Sequence, residues 1–110
     1  MNDKPAMWRL GDAEARAKGS NGSFQIPPKN KRLGVYPGYN VELFFEPLDP
    51  ENPAREQMWV KVLSRNDYGY IGVLQNEAVS AIFPLRGEII HFQPKHIAQI
   101  REEKDRGETQ

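Results

Sequence analysis

The chain has 110 residues, 38% of them apolar, with 15 basic and 15 acidic side chains and no cysteine. That is the length of one domain with a modest core. The balanced charge lacks the basic excess that duplex nucleic-acid binding leaves, and the missing cysteines exclude disulfides, zinc–thiolate sites and thiol nucleophiles.

Residues 1–22 differ in composition from the rest of the chain and are expected to be partly disordered around one short helix. In Gly11–Gly19, Asp12 can cap, Glu14 stands near the start and Lys18 near the end, so charge and capping agree on a helix. An isolated helix this short is marginal in water, so it needs Trp8, Leu10 or its alanines to dock. Gly19-Ser20-Asn21-Gly22-Ser23 reads as a linker. A domain is expected over 23–100. It begins with a short edge strand at Phe24-Gln25-Ile26, stopped by Pro27-Pro28, and a solvated basic loop Lys29-Asn30-Lys31-Arg32. Tyr36-Pro37-Gly38-Tyr39 has the residues of a turn.

Asn40–Glu46 alternates, with Val41, Leu43 and Phe45 on one face and Asn40, Glu42, Phe44 and Glu46 on the other. The prolines of 47–53 cannot continue a ladder and predict an exposed, acidic loop. Residues 57–76 then read as a hairpin with apolar side chains on both faces. Met58, Val60, Val62, Ile71 and Val73 are assigned inward; Trp59, Lys61, Leu63, Tyr70 and Leu74 outward. Gly72 suits a bulge or a sharp bend. Residues 78–84 read as a further strand, and Ile89–Gln93 as another with Ile90 and Phe92 together. Pro94–Ile97 reads as one helical turn and Ala98–Ile100 as the last strand. The tail from 101 to 110 has no apolar residue and is expected to be disordered. Five short strands over about 60 residues with a helical turn before the last predict a mainly β, α+β fold: a strongly bent antiparallel sheet or SH3-like barrel.

A small sheet buries one face in its own core. Phe44, Trp59, Leu63, Tyr70, Leu74 and Ile89 would crowd the other, more apolar surface than scatter explains if contiguous. Two coverings suit it. Residues 5–26 fold across as a lid, or the face meets a partner, where Trp and Tyr are the usual anchors. The expected contact set is Trp59, Tyr70, Phe44 and Leu63, with Asp49, Glu51 and Glu56 of the acidic loop meeting a basic protein. The rival is a small barrel binding single-stranded nucleic acid through Lys29, Lys31, Arg32, Lys61 and exposed aromatics. His91 and His96 have no metal-ligand spacing, and Ser64 and Ser80 have no nucleophile context, so no cofactor, metal or catalysis is expected. No apolar run is long enough for a signal peptide or membrane span, which makes a cytoplasmic protein the expectation.

In order, the motifs are Phe24-x-Ile26-Pro27-Pro28, Pro37-Gly38, Val41-x-Leu43-x-Phe45, Met58-Trp59-Val60-x-Val62, Gly72-Val73-Leu74-x-Asn76, Gly87-Glu88-x-Ile90-x-Phe92 and His96-Ile97-x-x-Ile100. This order, preceded by Trp8 and an alanine-rich helix, resembles the small bacterial domains grouped as DUF2185 and DUF2314. The former is assigned to the Imm33 class of predicted immunity proteins of polymorphic toxin systems. The resemblance covers roughly residues 8–100, departing at Glu77-Ala78 and at Glu88. It implies no catalytic residues. It implies a scaffold that occludes a toxin domain with its loops or a sheet face.

Overall fold

The computed structural model describes residues 6–102. In chain order the elements are β1 (Trp8–Leu10), α1 (Ala13–Gly19), α2 (Lys29–Leu33), β2 (Asn40–Pro47), β3 (Glu56–Asn66), β4 (Gly69–Leu74), β5 (Ile89–Phe92), a 3₁₀ turn (Pro94–His96) and β6 (Ile97–Arg101). The expected disordered tail falls outside the described residues from position 103. Its first residue, Arg101, closes β6 instead.

β2 is the hub of one antiparallel sheet. β3 pairs along one edge, with Val41 opposite Val60 and Leu43 opposite Met58. The other edge is shared: β6 takes the first half of β2 and β1 the second. β4 and β5 continue beyond β3. The sheet curls into a half-barrel, a mainly β fold with two short helices. Its inner side holds Val41, Leu43 and Phe45 of β2 and Met58, Val60 and Val62 of β3, all buried as the alternation predicts. Trp8 extends the edge and tilts its ring against Phe45, 5.4 Å between centroids.

The phase of β4 reverses the expectation. Tyr70, Gly72 and Leu74 face the core, while Ile71 and Val73 are half-buried on the outer side. The cause is a bulge in β3. Near the turn the register is regular, with Asn66 opposite Gly69 and Ser64 opposite Ile71. Past Leu63 it shifts by one, so Val62 meets Gly72 and Val60 meets Leu74. An unbulged hairpin would pair Val62 with Val73 and bury the set the sequence suggests. One extra residue inverts the faces because the side-chain period is two. Gly72 is required at this crossing, because a Cβ there would collide with the Val60 side chain and the Lys61 carbonyl.

Three local readings also change. Residues 78–84 form turns, not a strand. Both oxygens of the Glu56 carboxylate accept the Val79 N–H at 3.0 Å, and one accepts Ser80 N–H at 2.8 Å. Phe24–Ile26 is irregular rather than a strand. Lys29–Leu33 is a helix rather than a loop, and Arg32 is buried in it. Its Nε donates to the Pro27 carbonyl (2.8 Å) and its Nη1 to Glu14 (2.6 Å) and the Pro94 carbonyl (3.1 Å). A single guanidinium thus joins α1, α2 and the 3₁₀ turn.

Candidate interaction surface

The outer side of the sheet is covered over only part of its area. Gly11 begins the covered part. Its N–H donates to the Phe44 carbonyl (2.9 Å), and a Cβ would lie 2.6 Å from the Glu46 carboxylate. The chain therefore passes close over β2 before Asp12 caps α1 through the Ala15 N–H (2.9 Å). The Ser20 hydroxyl and the left-handed Asn21 (φ 58°) fold the chain back, so that Phe24 packs on Phe44, 5.6 Å between rings. The Arg16 guanidinium sits 4.1 Å above the Phe44 ring. Phe44, Ala13 and Ala98 form a second small core, with Phe24 and Ile26 against it. Phe44 is 6% exposed and is no contact residue for a partner.

Tyr70 is likewise removed from the expected contact set. It lies on the inner side, 4% exposed, stacked on Phe92 at 5.3 Å. Its hydroxyl donates to the Arg32 carbonyl (2.7 Å) and accepts the Val35 N–H (3.3 Å). Glu56 holds the 79–80 backbone and so has a structural role. Asp49 and Glu51 remain exposed, although Asp49 Oδ1 already accepts the Glu51 N–H (2.9 Å).

Trp59 and Leu63 do lie on the open part. Register places Lys61, Val73 and Ile89 in one outer row across β3, β4 and β5. Ser64, Ile71 and His91 form the next. Ile89 is 52% exposed, and Leu63, displaced by the bulge, 46%. The face is thus an apolar strip of Trp59, Ile71, Val73 and Ile89, with Leu63 at its end. Strict alternation alone would turn Ile71 and Val73 inward; Gly72 suits a bulge, but nothing local places the extra residue across from it in β3. Arg101 caps the other end of the strip, its guanidinium 4.4 Å above the Trp59 ring. The Trp59 backbone is pinned by Asn76, whose Oδ1 accepts its N–H at 2.6 Å.

Glu42, opposite Trp59 in register, has one carboxylate oxygen shielded from solvent without a hydrogen bond. Burial raises its pKa, and Arg101 opposes that rise. Among the basic residues of the nucleic-acid reading, Lys29 and Lys31 are exposed on α2 and Lys61 lies on the outer strip, but Arg32 is enclosed by its own fold. His91 and His96 line one cleft of about 260 Å³ with Tyr68 and Tyr70. His96 Nδ1 accepts the Gln93 N–H (3.0 Å) and caps the 3₁₀ turn; burial lowers its pKa, Lys95 adds to that and Asp12 opposes it. Among the described residues no group of His, Asp and Glu could hold a metal ion, and no helix is long and apolar enough to cross a membrane. No family model matches this chain, and no curated protein or solved structure shows detectable similarity to it.

Proposed function

We propose that this chain is a non-enzymatic protein-binding domain whose contact surface is the uncovered outer strip Trp59, Ile71, Val73, Ile89 and Leu63. The observation that carries this reading is the unequal covering of one sheet face. Val73 and Ile89 share one outer row with Lys61, Ile71 shares the next with Ser64 and His91, and Trp59 stands on the same face with Glu42 opposite and Arg101 over its ring. Contiguous apolar surface on so small a domain is the usual mark of an interface. Lys61 and Arg101 favour a partner with an apolar centre and carboxylates at its rim. Asp49 and Glu51, exposed in the loop that precedes β3, serve at the periphery. Neutralising a toxin domain by occlusion is the form of binding that the family resemblance implies, and it needs only such a rigid face.

The test is a titration against a toxin domain encoded beside this chain in its own genome. Val73→Lys should weaken binding by about 30-fold or more, the scale of one interfacial hot spot near 2 kcal/mol. Val79→Lys, at a site 94% exposed outside the strip, should leave it unchanged. Equal binding by both variants would remove the strip from the function. Binding of single-stranded RNA at low salt that fades as salt rises would replace the protein partner with nucleic acid.

A further inference from the structure

β5 leaves a row of backbone groups without partners among the described residues. The Leu74 N–H donates to the Glu88 carbonyl (3.0 Å). The pairs in phase with it, Gly72 with Ile90 and Tyr70 with Phe92, therefore exchange the β4–β5 hydrogen bonds. Alternation turns the N–H and C=O of Ile89, His91 and Gln93 to the opposite edge. Gln93 is already closed off: its N–H reaches His96 Nδ1 and its carbonyl accepts the His96 N–H (3.0 Å). No strand among the described residues pairs with that edge. Ile89 and His91 are left bare, and both side chains are exposed.

Sheet edges are ordinarily protected by Lys, Glu, proline or a bulge. β5 is short, which limits the exposed edge to Ile89 and His91, but its sequence Ile-Ile-His-Phe carries no Lys, Glu or proline and its pairing with β4 no bulge. The chain has a formal net charge of zero, so two copies do not repel each other at long range. The outer apolar strip ends at this same edge, at Ile89.

We propose that β5 pairs with β5 of a second copy, antiparallel, about a twofold axis at Ile90. Ile89 then exchanges N–H and C=O with His91 of the second copy, and His91 with its Ile89. The outer row Val73–Ile89 of one copy continues into His91 and Ile71 of the other. This pairing does not rest on the protein-binding reading above, because it is made by backbone groups.

Sedimentation of the full chain over a concentration series, with amide hydrogen exchange at both ends of that series, tests it. The mass should rise from one chain to two. The amides of Ile89 and His91 should gain protection with concentration, while those of Ile90 and Phe92 are protected throughout. His91→Lys places like charges beside the axis and should raise the concentration for half-dimerisation by about 10-fold or more. Val79→Lys should not shift it. A single-chain mass up to millimolar concentration would overturn the proposal. So would a dimer in which the Ile89 and His91 amides exchange freely, or one indifferent to His91→Lys.

Discussion

Two halves of one sheet face have opposite fates here. Over β2 and β6, Phe44 and Ala98 lie under α1 and Phe24 and form a second core. Over β3 to β5, Ile71 and Val73 are half-buried, Ile89 is exposed, and Trp59 carries the Arg101 guanidinium over its ring. The strands are alike in apolar content, so the difference arises outside them. The close passage at Gly11 and the fold-back at Ser20 and Asn21 deliver one helix and one aromatic to the first half. After α2 the chain enters β2, and Leu63 and Ile89 on the second half remain 46% and 52% exposed. Covering is thus decided by a few turn residues rather than by the strands that are covered.

The largest effect that would sharpen this contrast is Phe44→Ala. It should cost about 3–5 kcal/mol in denaturant unfolding, as for other buried aromatics. Val73→Ala on the bare half should cost less than about 1 kcal/mol. Equal costs would mean that the two halves are equally covered. Next comes Arg32→Leu, which leaves the Pro27 and Pro94 carbonyls without their donor. A loss of about 2–4 kcal/mol is expected, with exchange protection falling first in α1 and α2. Gly72→Val should cost about 1–3 kcal/mol by overpacking at the β3–β4 crossing. Retained stability there would deny the close approach that sets the bare half's geometry.

Two pH effects are smaller. Burial holds His96 neutral in the folded chain with its pKa lowered. Its contribution is therefore present above the usual histidine range and lost as pH falls through the lowered value. Thermal melts should show wild type losing stability in that window relative to His96→Gln; parallel curves would contradict this. Glu42 has the opposite sign. Its raised pKa means that folding disfavours its charge, so Glu42→Gln should be the more stable protein at neutral pH. That advantage should vanish below the usual carboxylate range. An advantage that persists in acid would point to packing instead of charge.

Much of the fold is legible in the sequence because it rests on local rules. Asp12 caps α1 as expected, whereas Gly19, which suits a position just past the helix, is its last residue and Ser20 is the C-cap. Alternation fixes the inner sets of β2 and β3. Pro94 announces the 3₁₀ turn. The candidate surface is half legible. Strict alternation along β3 places Trp59 and Leu63 outward, and it holds as far as the bulge. Tyr70 and Leu74 exchange sides with Ile71 and Val73, because either set is apolar enough for a core and periodicity cannot choose between them. Phe44 reads as outward, which is correct, and Phe24 and Ile26 of the expected lid do cover it, whereas Trp8 and Leu10 of the same segment pack against the inner core. Arg32 reads as one more cation of a solvated loop; only tertiary structure supplies its carbonyl partners.

Leu63 gives the hairpin an unusual evolutionary position. Loss of that single codon would leave Val62 next to Ser64 and restore an even ladder. Val62 would still face Gly72 and Ser64 would still face Ile71, so Ile71 and Val73 would stay outward and Tyr70 and Leu74 inward. One in-frame deletion would therefore straighten the strand and remove a single apolar side chain from the display, leaving the rest of the outward face in place. A lineage could trim the end of its recognition surface in that step without disturbing the strand pattern beneath it.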